Sequence, residues 1–187
     1  MKIFIGIFIG LMAITRIEAQ PLTFYRESLN FEIDSSHFYV SGMYFLRNPN
    51  TKPGTTRILY PYVYETSQIE TISVVNLLTM KKLDVLPVKK GHSFQLQVPG
   101  NDSVVLHIKY SHQHDGTRAT YILTTTKFWH RPFDEADYTL RVKKGIVVEK
   151  LFLPPDTTWI DLDYIYYHWK RRNFMPESDF TIEFRPH

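Results

Sequence analysis

The side chains best suited to chemistry form the run His112-Gln113-His114-Asp115, with His107 five residues upstream. On an extended backbone, residues two apart point the same way, so His112 and His114 would share a face. Two imidazoles and a carboxylate are a workable zinc set, which would suit a small metal-assisted hydrolase. No further ligand pair stands at a spacing typical of zinc sites, and the run adjoins a turn, where solvated polar residues collect. Asp161 and Asp163 alternate along what reads as one strand, with Asp156 near. Paired carboxylates could do acid–base work or bind calcium, given a cleft. Ser41-Gly42 lacks the flanking glycine of a nucleophile elbow. The sequence holds no His-Glu-x-x-His run, phosphate-cradling glycine loop or dinucleotide fingerprint. The expectation is therefore a non-catalytic protein with no cofactor.

A second constellation suits recognition. The stretch from Trp159 to Phe174 (WIDLDYIYYHWKRRNF) gathers aromatic rings and the basic triplet Lys170-Arg171-Arg172. It reads either as a long strand whose amphipathic rings straddle the edge of a core, or as a recognition surface for a polyanion or glycan. If exposed, Trp159, Tyr164, Tyr166, Tyr167, Trp169 and Arg171 would form a contact surface, because aromatics with Arg anchor interfaces. A protein partner is expected, with a carbohydrate-binding module as the alternative. Trp129-His130-Arg131-Pro132-Phe133 brackets a proline with rings, as a hydrophobic clamp or a ligand groove would. Asn101-Asp102-Ser103 is a glycosylation sequon within a turn.

The elements that must position these residues are strands. In His37 to Leu46, Phe38, Val40, Gly42, Tyr44 and Leu46 alternate with a second, half-apolar set. Ser93 to Val98 and Val104 to Tyr110 alternate more cleanly, as strands with one wet face do. Further candidates are Asn30–Ile33, Arg57–Tyr64, Gln68–Leu77, Leu83–Val88, Thr120–Thr125, Tyr138–Val142, Ile146–Phe152, Trp159–Tyr167 and Phe180–Phe184. Gly and Pro clusters punctuate them, and Lys89-Lys90-Gly91, Asp115-Gly116 and Lys143-Lys144-Gly145 read as hairpin tips. Many short strands with frequent turns predict an all-β fold, a single antiparallel β-sandwich.

The chain opens with Lys2, an apolar run from Ile3 to Ile14, and Ala19. That is the layout of a signal peptide over residues 1–19, too short to serve as a permanent membrane span. A β-sandwich domain over 20–187 would then work secreted, in a periplasm or at a cell surface. Removing nineteen of 187 residues leaves 168, enough for one well-cored domain. The hydrophobic content of 43% and aromatic content of 15% exclude a disordered chain. A net charge of +3 is too weak a field to argue for nucleic acid. Without cysteine there is no thiol nucleophile, thiolate metal site or disulfide.

The order of several features resembles a known domain. These are Ser28-Leu29-Asn30-Phe31, the segment Tyr39 to Asn48, Leu59-Tyr60-Pro61-Tyr62, Pro132-Phe133-Asp134-Glu135-Ala136-Asp137-Tyr138, and Phe174-Met175-Pro176-Glu177. Together they are similar to the all-β N-terminal domain that precedes the catalytic domain of membrane-alanyl-type zinc aminopeptidases, and to free-standing exported β-domains. The resemblance implies architecture and export. It carries over no catalytic residue, because the zinc and substrate-amine motifs of that family belong to its catalytic domain and do not occur in this sequence.

Overall fold

The computed structural model describes residues 22–63, 69–89 and 91–186; the expected leader lies outside them. Among these residues fourteen strands, numbered in chain order, form three sheets. The eight-stranded sheet runs β12 (Thr157–Ile160), β13 (Tyr164–Phe174), β10 (Phe133–Lys143), β1 (Thr23–Ile33), β2 (His37–Asn48), β8 (Asp102–Gln113), β4 (Ile69–Asn76) and β5 (Lys81–Lys82). One three-stranded sheet runs β11 (Ile146–Leu151), β14 (Phe180–Pro186), β9 (Arg118–Tyr121); the other runs β3 (Gly54–Pro61), β7 (Gly91–Val98), β6 (Val85–Val88). The two small sheets pack against the inner face of the large one, giving the expected β-sandwich.

The period of two builds the core directly. In β2, Phe38, Val40, Tyr44 and Leu46 are buried, and their neighbours on β1 and β8, Leu29, Phe31, Leu106 and Ile108, are buried with them. Across the gap, Phe31 stacks on Phe180 with ring centroids 4.1 Å apart, and Trp169 meets Phe180 edge-on at 5.3 Å. Each such side chain contributes roughly 1.5–3 kcal/mol on leaving water. Gly42 is required where β2 passes Leu29 and Tyr44, since a Cβ there would lie 2.6 Å from both.

Four features depart from the sequence reading. β1 and β10 pair in parallel, from Arg26 against Glu135 to Ile33 against Val142. The whole run from β2 to β9 separates them, and a connection of that length permits a parallel pair. The strand expected over Thr120–Thr125 stops at Tyr121, and the chain turns into a 3-10 helix over Thr124–Trp129. Asp179 holds that turn, accepting the N–H groups of Leu123 at 3.0 Å and Thr124 at 2.9 Å. Trp159–Tyr167 is a hairpin rather than one strand, so Asp161 and Asp163 sit in its turn instead of alternating on a face. Asp161 Oδ1 accepts the N–H groups of Asp163 at 2.9 Å and Tyr164 at 2.8 Å. Finally, Asp115-Gly116 and Lys143-Lys144-Gly145 carry the chain between sheets and close no hairpin, since β8 pairs with β2 and β4 while β9 pairs with β14, and β11 also pairs with β14. Turn residues mark a reversal without specifying which sheet the next strand joins. No helix among the described residues is long and apolar enough to cross a membrane.

Candidate binding surface

The pleat of β13 divides the aromatic tract. Tyr167 and Trp169 sit opposite the buried Leu140 and Tyr138 and face inward. Trp169 is fully buried and donates its indole N–H to the Leu153 carbonyl at 3.1 Å. Arg171 shares their register, opposite Ala136, but reaches the sheet edge, where its Nη1 binds both oxygens of Asp156 at 2.7 and 2.6 Å. That ion pair, with a further hydrogen bond from the Lys170 N–H, holds the Asp156 carboxyl below the usual range. Tyr164 and Tyr166 face outward. Trp159, from β12, lies flat on Tyr166 with centroids 4.9 Å apart and planes within 6°. Of the six residues proposed from sequence, Trp159, Tyr164 and Tyr166 come together on the outer face; Tyr167 and Trp169 do not join them, and Arg171 fixes a loop.

Each outward phenol is held by a carboxylate. Tyr166 donates to Asp161 at 2.8 Å, and Tyr164 donates to Glu32 at 3.0 Å. Glu32 also binds the Arg141 guanidinium, which lies over the Tyr164 ring at 5.1 Å. The Tyr166 hydroxyl, followed by the N–H groups of Asp163 and Tyr164, pulls the Asp161 carboxyl below its ordinary value. Beside this cluster an open hollow of about 1010 Å3 extends across the sheet, past Asn30, Tyr39 and Ser41, to Lys109 and Lys82. Ser41 binds His107 at 2.9 Å on the same face. Sequence reasoning missed Glu32, Arg141, Tyr39 and Lys109. Alternation set Lys109 on a wet face, but only register shows that the four are neighbours.

The histidine run is arranged differently from a zinc set. His107 faces outward and His112 inward, as an odd spacing on a strand requires. His112 stacks on Tyr110, and its Nδ1–H donates to the Gln113 carbonyl at 2.9 Å. Burial lowers its pKa. His114 Nε2–H donates to the Asp34 carbonyl at 3.0 Å, while its Nδ1 accepts the Gly116 N–H at 3.0 Å, leaving no lone pair on that ring. Asp115 Oδ1 accepts the N–H groups of Thr117 and Arg118 at 2.9 and 3.0 Å. His112, His114 and Asp115 border a common cleft of about 470 Å3, but among the described residues no three metal-ligating side chains converge.

No family description and no curated protein matches the sequence. Solved structures do match the fold. A "putative nutrient binding protein" from Legionella pneumophila aligns over 88% of this chain and 67% of its own, with 12% identity and a TM-score of 0.69. An M1 zinc metallopeptidase from Deinococcus radiodurans aligns over 87% of this chain at 10% identity, with a TM-score of 0.52. A mutant of that enzyme bound to a Tyr-Ser-Ala substrate aligns with a TM-score of 0.54. This chain spans 42% of the peptidase chain. The likeness is one of fold, in line with the all-β resemblance read from sequence.

Proposed function

We propose that this chain is a non-catalytic binding module, an exported accessory protein that meets a protein partner through the outer face of its eight-stranded sheet. The reading rests on the open hollow of about 1010 Å3 on that face, edged by the Trp159–Tyr166 stack. Small-molecule sites are enclosed, mainly apolar clefts of roughly 300–1,000 Å3. This hollow is open, hydroxyl-rich and charged at both ends, a form suited to a macromolecular surface with rigid aromatic anchors at its margin. The fold likeness to a protein described as nutrient binding supports a binding role. Export, to a periplasm, cell surface or medium, rests on the leader-like N-terminal sequence.

Affinity isolation with the purified protein tests the reading. Wild type should retain a discrete protein from the envelope fraction of its own cells, and a Trp159→Ala/Tyr166→Ala double variant with unchanged thermal midpoint should lose it. Equal retention by the variant would contradict the proposed face. The flat, half-exposed Trp159 ring favours a second reading, a platform on which a sugar ring stacks. Retention on an insoluble glycan that disappears with Trp159→Ala would select it. Stoichiometric zinc that copurifies and is lost in His112→Ala/His114→Ala would instead select a metal-assisted hydrolase.

A further inference from the structure

β3 and β9 border the seam between the two small sheets and share no described ladder. A chain of hydroxyls joins them through the large sheet: Tyr60 on β3 lies 2.7 Å from Tyr44 on β2, which lies 2.9 Å from Tyr121 on β9. Three hydroxyls in a chain use two protons between them, so one donor is left over. Beside this chain is a cavity of about 80 Å3 with the half-exposed Leu59 in its wall. A single water needs about 15 Å3 on this measure, so the space suits several waters or one small organic molecule.

The lining is unusual for a sandwich core. Phe24, Tyr44, Tyr60, Tyr121 and Trp129 present rings, with Phe24 centred 5.7 Å from Trp129 and 5.9 Å from Tyr44. Among them sits Glu27, only 2% exposed, whose one described hydrogen bond comes from the Tyr138 hydroxyl at 2.5 Å. No Lys, Arg or His is among the described lining residues. A buried carboxyl without a cation is costly to ionise, and a neutral apolar guest would leave it poorly satisfied. An anion would find no cationic partner among the described lining residues. A compact divalent metal ion would find Glu27 as the single carboxylate among the described lining residues, too little anionic oxygen to replace its hydration shell. Aromatic faces attract cations through their quadrupoles, and apolar walls accommodate alkyl groups. We propose that this cavity binds a small alkylammonium cation, held by the Glu27 carboxylate within the ring of Phe24, Tyr44, Tyr60, Tyr121 and Trp129. The site is separate from the outer face, and its failure leaves that reading untouched.

The proposal carries its own pH signature. Burial pushes the Glu27 carboxyl up to about 8, against the lowering effect of the Tyr138 hydrogen bond. The titratable groups facing it are phenols: Tyr138 of β10, Tyr44 of β2 and Tyr121 of β9, with Tyr60 of β3 and Tyr110 of β8 behind them. Burial raises all five, so they stay neutral. An empty site therefore holds a protonated Glu27 at neutral pH, and a cation must displace that proton. Affinity should rise about tenfold per pH unit below 8 and level off above it.

The test uses tetramethylammonium, whose charge does not titrate, followed by NMR on labelled protein. Saturable shifts at Tyr44, Tyr121 and Trp129, with the dissociation constant falling about eightfold from pH 6.5 to 7.5, are expected. Glu27→Gln, nearly the same shape, should abolish binding. Trp129→Leu, at the partly exposed wall, should weaken it and guards against a misfolded Glu27 variant. The uncharged tert-butanol should bind poorly. No saturable shift in wild type, affinity independent of pH, or tert-butanol binding as tightly would each overturn the proposal and leave a hydrated void.

Discussion

The inner and outer faces of the eight-stranded sheet are built by alternate residues of the same strands, yet they handle phenols and carboxylates in opposite ways. Inside, Tyr44 links the hydroxyls of Tyr60 and Tyr121, and Tyr138 donates to Glu27, with no cation among these residues. Outside, Tyr164 shares Glu32 with Arg141, and Tyr39 donates to Asp34 at 3.1 Å. Burial dominates at Glu27 and raises its pKa. At Asp34 partial burial also pushes upward, but the N–H groups of Ser36 and His37 and the Tyr39 hydroxyl outweigh it, and the pKa falls. Burial therefore favours the neutral form of Glu27 on the inner side, and hydrogen bonds favour the charged form of Asp34 on the outer side.

The largest expected break in this comparison comes from cutting one tryptophan on each face. Trp169→Ala should cost roughly 3–5 kcal/mol by urea unfolding, because it opens a cavity beside Phe152 and Phe180. Trp159→Ala, on the outer face, should change stability by less than about 1 kcal/mol. Equal losses would mean that the two faces are not distinct.

A pH series sharpens the contrast. Glu27 has a folded pKa above its unfolded one, so its stabilisation is complete below about 4.5 and declines as pH rises towards about 8. Glu27→Gln should thus match wild type near pH 4 and exceed it near pH 9 by on the order of 4–5 kcal/mol, read from thermal unfolding. Asp34 has the opposite sign: its contribution is present above its model-peptide value of 3.8 and fades as pH falls through the lower folded value. Asp34→Asn should therefore cost stability at neutral pH and little in acid, checked in the same series. Smaller still is Gly42→Ala, where the added Cβ overpacks Leu29 and Tyr44. It should cost roughly 1–3 kcal/mol in urea, with no change in pH dependence.

Much of the inner face was legible in the sequence, because burial follows parity along each strand. Phe38, Val40, Tyr44 and Leu46, and Val104, Leu106, Ile108 and Tyr110, were readable as core positions from alternation alone. The outer site was not, because parity says nothing of register. Trp159 and Tyr166 are neighbours only because Asp161 turns the chain between them, and Glu32 meets Arg141 only through a parallel pairing of strands far apart in sequence. The apparent strand from Trp159 to Tyr167 concealed that turn, since its apolar residues run across it. Glu27 was invisible for another reason. A glutamate beside Arg26 and Ser28 reads as a wet position, and only the packed phenols around it show otherwise.

Photo-crosslinking in the cells that make the protein tests the central claim most directly. A photoreactive residue would replace Tyr39 or Tyr166 on the outer face of the large sheet, or the exposed Gln97 on the outer face of β7. The account predicts one discrete protein adduct from both tyrosine positions and none from Gln97. Adducts from Gln97 alone would place the contact on the small sheet and contradict the account.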